Sequence, residues 1–133
     1  GMYIVYDYSD GSITIYQEMN MPFISFTTNH KLTLRQENEI AKRTGELITI
    51  LPGKKEENLM LHMEDNQIMY FRGEDIPCMM VAIKLYKSID FDAKKKFTEE
   101  LIKMIKETTN IEPNDIYVSF DEYQTWGKQG TLF

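Results

Sequence analysis

The stretch Met21-Pro22-Phe23-Ile24-Ser25-Phe26 decides how the chain is read, because residues 22–133 read as a complete small domain and residues 1–21 as an addition to it. Pro22 carries the functional question. A chain that starts at Pro22 has a free secondary amine at the head of a strand, and an amine is a proton carrier. A chain that starts upstream has an amide at the same place, which carries no proton.

Outward from this point, residues 22–28 read as a strand, and Thr33-Leu34-Arg35-Gln36 has the pattern of a capping box, in which hydroxyl and amide side chains satisfy reciprocal backbone donors. The helix it opens is expected to run to about Leu51. Ile40, Ala41, Leu47, Ile48 and Leu51 recur at helical spacing, and Pro52-Gly53 is the stop. A strand is expected over 58–64, and a short one over 67–71 pairing at an edge. Residues 79–85 are a nearly continuous apolar run, which predicts a strand covered on both faces. A second amphipathic helix spans 92–108 through Phe97, Leu101, Ile102 and Ile105. A strand over 115–121 and a tail with Trp126 and Phe133 complete the chain.

These parts repeat. The strand, cap region and strand that begin at 22, 33 and 58 recur at 79, 90 and 115. Two β-α-β units of equal length, each with a right-handed crossover, predict an α+β fold: a four-stranded mixed sheet with both helices on one face. Strand alternation sends Leu59, Leu61, Ile116, Val118 and Phe120 to the core and Met60, His62, Tyr117 and Ser119 to the opposite face. A monomer has no element to cover that second face, so other copies of the chain are the expected cover.

Upstream of Met21, residues 2–8 and 13–16 are β-prone and Ser9-Asp10-Gly11-Ser12 is turn chemistry, which predicts a hairpin. Gly1 reads as a cloning remnant. Gln17-Glu18, a short way ahead of Met21, can be encoded by purine-rich codons resembling a bacterial ribosome-binding site. With Pro22 as a residue that permits removal of a preceding methionine, the native chain is expected to begin at Pro22. The domain reading is therefore 1–21 as extension and 22–133 as the working domain.

At 133 residues the chain is one domain's worth, enough to bury roughly two-thirds of its unfolded surface. A net charge of −6 and a pI of about 4.9, with lysines interleaved among acids, argue against nucleic acid as partner. The single cysteine, Cys78, excludes an internal disulfide and reads as a small buried hydrophobe. No apolar run approaches ~18 residues and no basic segment precedes an apolar one, so neither a membrane partner nor a signal peptide is expected. His30 and His62 have no metal-ligand spacing around them, and no cofactor is expected.

Pro22-Phe23-Ile24, Gly53-Lys54, the strand with His62, Ile76-Pro77-Cys78, the segment from Ile111 through Val118, and Trp126 together resemble the macrophage migration inhibitory factor family of the tautomerase superfamily. The resemblance covers residues 21–133. It implies a homotrimer with an active site at each subunit interface. It also implies a keto-enol tautomerase, acting on an α-keto acid such as phenylpyruvate or on dopachrome, with an N-terminal proline as acid and base.

By position, Pro22 would be the base and Lys54 would meet the substrate carboxylate. The backbone N–H of Tyr86 would contact substrate oxygen, and Tyr117 would enter from the neighbouring subunit with Ser119 beside it. Trp126 and Phe133 would form the apolar wall. Ser119 stands where the mammalian proteins have Asn, which shortens that contact. The mammalian Cys-x-x-Cys is absent, since Met79, Met80 and Val81 follow Cys78. The resemblance further implies a cytoplasmic protein, or one secreted without a signal peptide. The rival reading is a non-enzymatic trimeric binding or signalling protein whose hairpin covers the pocket.

Overall fold

Thr33 opens the first long helix as its sequence predicts: its Oγ1 accepts the Gln36 N–H at 3.1 Å, and the Gln36 Oε1 accepts the Thr33 N–H at 2.9 Å. This reciprocal pair removes two of the unsatisfied donors of a helix start. In the computed structural model, which describes residues 2–17 and 21–133, that helix is α1 (Leu34–Leu47), extended by a 3-10 turn through Ile50. Gly53, at φ 76°, turns the chain away. The second helix, α2 (Phe91–Thr109), starts on an Asp90 cap whose carboxylate accepts from the Ala93 N–H. It stops where Asn110 takes the left-handed conformation.

Between and after the helices lie β3 (Phe23–Thr28), β4 (Met60–Glu64), β5 (Met79–Tyr86) and β6 (Ile116–Tyr123). They follow β1 (Met2–Asp7) and β2 (Ser12–Gln17), which form the expected hairpin. The four central strands stand in the order β4-β3-β5-β6. The pairs β3/β4 and β5/β6 are parallel, as two crossover units require, and the units meet antiparallel at β3/β5. The sheet is mixed, and both helices pack into the single core on one of its faces. Ile24, Phe26, Val81, Ile83 and Leu85 meet Ile40, Ile48, Phe97, Leu101 and Ile105 there. Each such buried side chain stabilises the fold by about 1.5–3 kcal/mol.

Two expectations need correction. Residues 67–71 form no strand. Asn66 takes a positive φ, the Gln67 N–H donates to the Thr28 carbonyl, and Phe71 pairs only with Glu74 across the Arg72-Gly73 turn. That local turn competes successfully with the sheet edge. The run at 79–85 is a strand, but within one chain only its Met79, Val81, Ile83, Leu85 side is fully buried. Missing from the sequence reading is a terminal hairpin, β7 (Gly127–Lys128) and β8 (Thr131–Leu132), closed by Gln129 and Gly130 at positive φ.

Candidate active site

The register across the sheet sets the site. Phe23 pairs with Met60 on one side and Lys84 on the other, and Lys84 pairs with Asp121. Ser25 lies in the next row with His62, Ala82 and Ser119, and Thr27 in the row beyond with Glu64, Met80 and Tyr117. All of these side chains share the sheet face away from the helices. It is uncovered within the chain: Met60 is 65% and Tyr117 61% exposed. Along it Ser25 Oγ lies 3.3 Å from His62 Nδ1, and His62 Nε2 lies 3.4 Å from Glu64 Oε1.

Pro22 stands at one end of this face, immediately before β3. Its carbonyl accepts the Met60 N–H at 3.0 Å, an extra rung of the β3/β4 ladder that fixes the residue. Met21 and Pro22 are both buried and form part of the wall of a cavity of about 490 Å³. Phe23, Met60 and Trp126 supply its apolar surface; Lys84 and Lys128 supply cations, and Glu57 and Asn58 complete the polar rim with the Gly127 backbone. Trp126 is carried there by the terminal hairpin. Its backbone exchanges two 2.9 Å hydrogen bonds with Phe133, and its ring meets Tyr123 edge-on at 5.9 Å.

The structure thus brings Pro22 and Trp126 together and ties Phe133 to Trp126. Lys54 is not among the described residues of that wall. It is 2% exposed, its N–H donates to the Leu51 carbonyl, and its charge reaches Glu122. Burial works against the ionised Glu122 carboxyl. Its hydrogen bonds from Lys94 and the Ile89 N–H, with the charges of Lys94 and Lys54, outweigh burial and hold it below the ordinary value. Tyr86 ends β5 opposite Tyr123. Tyr117 and Ser119 lie at the rows of Thr27 and Ser25, so Tyr117 sits four residues along the sheet from the row of Phe23. That is about 13 Å at strand rise. Within one chain Tyr117 and the Pro22 cavity are separate.

Lys84, Lys128 and Asn58 escaped the sequence reading. For Lys84 a signal existed: it is the lone charge in the apolar run of β5. Cys78 is buried, and its N–H donates to Asn29 Oδ1. Burial pushes its thiol up, with Asp115 and Asp75 adding to the effect. Among the described residues no group of three or more His, Cys, Asp or Glu could hold a metal ion, and no helix is long and apolar enough to cross a membrane.

The family profile described as macrophage migration inhibitory factor (MIF) matches residues 21–133. The chain belongs to the macrophage migration inhibitory factor family. A curated relative, the macrophage migration inhibitory factor homolog of Brugia malayi, is 24% identical over 104 residues, 75% of this chain and 86% of that protein. Among solved structures, MIF2 of Leishmania major superposes with a TM-score of 0.79 at 22% identity, covering 85% of this chain and 97% of that one. Pt0534 inactivated by 2-oxo-3-pentynoate superposes with a TM-score of 0.72 at 16% identity, covering 82% and 93%. The doubled β-α-β architecture is thus shared with these solved structures, and the family match begins at Met21, one residue before Pro22.

Proposed function

We propose that the protein, in a form whose chain starts at Pro22, is a keto-enol tautomerase acting on an α-keto acid of the phenylpyruvate type. The supporting observation is Pro22 itself: in a chain of this family it heads a central strand and lines a cavity with Trp126 and Phe23. An α-amine titrates near pKa ~8 in water, and burial and neighbouring cations both favour its neutral form. Such a nitrogen takes a proton from the carbon beside the ketone while the carbonyl oxygen gains one, giving the enol; the reverse transfer restores the ketone. A positioned base of this kind contributes about 10²–10⁴-fold in rate.

Lys54 is assigned to the substrate carboxylate, the Tyr86 N–H to the substrate oxygen, and Trp126 and Phe133 to the apolar wall. The separation of Tyr117 from the cavity in one chain, together with the uncovered sheet face, supports a homotrimer in which the partner subunit's Tyr117 and the partner subunit's Ser119 complete the site. That a superfamily neighbour is inactivated by an α-keto acid supports the substrate class.

A second reading rests on Met21. In the continuous chain it is buried in the cavity wall and acylates the Pro22 nitrogen, which suits a non-enzymatic binding or signalling protein, located in the cytoplasm or outside the cell. Intact mass of the protein from its own host, followed by a phenylpyruvate assay on that material, decides between the two. A mature chain that starts at Pro22 and turns over phenylpyruvate supports the enzyme. A retained Met21 with no turnover supports the binding protein.

A further inference from the structure

We propose that Lys84 and Lys128 form an anion contact at the mouth of the Pro22 cavity, so that the preferred ligand is an acid carrying a second anionic group on an apolar body. This deepens the tautomerase reading by naming the substrate class, and it rests on that reading for the Lys54 contact with the first carboxylate and for the chemistry that follows binding.

The case starts from where cations stand in an acidic chain. Several basic side chains elsewhere are matched: Arg43 with Glu107, Arg72 with Asp115, Lys94 with Glu122, Lys95 with Glu99 and Lys106 with Glu112. Lys84 has no ion pair among the described residues. Its register neighbour Asp121 does not bind it, and its nearest described partner is the face of Phe23, with the ammonium 6.0 Å from the ring centroid. It is the exposed residue of an otherwise apolar strand, one register step from Pro22. Lys128 reaches the same cavity from the terminal hairpin, and among the described residues its ammonium donates a long 3.4 Å bond to Asn58 Oδ1.

Two lysines from unconnected elements therefore converge on one cavity, where the one acid among the described lining residues is Glu57, its side chain 73% exposed and its carboxylate 4.0 Å from Lys55. Phe23, Met60 and Trp126 between them present an apolar body to the ligand. A carboxylate or phosphate at the mouth would gain charge-assisted hydrogen bonds from both ammonium groups. With Lys54 assigned to the first carboxylate, Lys84 and Lys128 account for a second.

Trp126 is the only tryptophan and lies in the cavity wall, so its fluorescence reads binding without turnover. The probes are phenylacetate, a monoanion, and 1,4-phenylenediacetate, a dianion of similar body, titrated into the full chain. The dianion should bind about tenfold more tightly, weaken as salt rises, and lose its advantage in the Lys84→Met and Lys128→Met double variant. Equal affinities in the unaltered protein, or a preference that survives the double variant, would overturn the proposal, as would a Trp126 signal that responds to neither probe. Failure here is separable from failure of the catalytic reading: an active tautomerase without dianion preference defeats only this inference, and preference without activity defeats only the other.

Discussion

The Met60 N–H donates to the Pro22 carbonyl at 3.0 Å, which fixes Pro22 at the head of β3, where it lines the cavity it shares with Trp126. The strand ladder thus holds the residue on its carbonyl side, and what stands on its nitrogen side decides its chemistry. Everything else in the site is arranged around that division.

The uncovered face carrying Met60, His62 and Tyr117 predicts self-association, because soluble monomers rarely expose a contiguous apolar patch beyond a few hundred Å². Light scattering at micromolar concentration should give three times the 15.7 kDa chain mass. Tyr117→Asp should shift the protein toward monomer. A monomer in the unaltered protein contradicts the shared-site account.

Asn29 holds the loop before β5: its Nδ2 donates to the Ile76 carbonyl at 2.7 Å and the Met69 carbonyl at 3.3 Å, and its Oδ1 accepts the Cys78 N–H at 2.9 Å. Asn29→Ala removes all three and leaves partly buried backbone groups unsatisfied. The expected loss is about 2–4 kcal/mol of unfolding free energy, measured by urea denaturation. A loss below 1 kcal/mol, outside the range of ~1–3 kcal/mol for even one orphaned group, would show that water replaces these bonds freely.

Glu122 ties β6 to the start of α2 through Lys94 and the Ile89 N–H. Its carboxyl is held below its usual 4.5, so the folded state binds that proton less readily than the unfolded state. The stability it contributes is therefore present above pH 4.5 and is lost as pH falls through the lower folded value. Glu122→Gln should cost about 1 kcal/mol at neutral pH, given solvent screening, and the difference from the unaltered protein should vanish in acid. A difference that stays constant across the acid range would assign the effect to packing.

Lys54→Met in a chain starting at Pro22 tests the carboxylate contact. The loss in kcat/KM should be about 1.5–3 kcal/mol for phenylpyruvate, and much smaller for its neutral ester. Equal losses on acid and ester would mean that Lys54, 2% exposed and close to Glu122, serves the fold.

Much of this was legible in the chain. The capping box at Thr33 and Gln36, the apolar alternation of 59–63 and 116–120, and the recurrence of the first unit in the second are local signals, and each element formed near its pattern, although the strand expected from Asn58 starts at Met60 because residues 56–58 close a 3-10 turn. Residues 67–71 misled because their β-prone side chains were outvoted by positive-φ turns at Asn66 and Arg72. The Gln129-Gly130 turn was short enough to pass as tail, yet it carries Trp126 and Lys128 to the cavity. The convergence of Lys84 and Lys128 is tertiary: no spacing along the sequence relates them. The burial of Lys54 was equally invisible, since Lys54-Lys55 reads as a solvated pair and only the fold closes over one of them.

The proton chemistry of Pro22 rests on its nitrogen. In the continuous chain Met21 makes that nitrogen a tertiary amide with no hydrogen and no basic lone pair. Phenylpyruvate tautomerisation should be compared between the full chain and a chain expressed from Met21, with Met21 removed by the host and the Pro22 terminus verified by mass. The predicted result is negligible activity in the first and clear activity in the second, with a kcat/KM that rises through one basic group titrating below ~8. Equal activity in both would contradict the assignment, because the proton would then be carried by a residue other than Pro22.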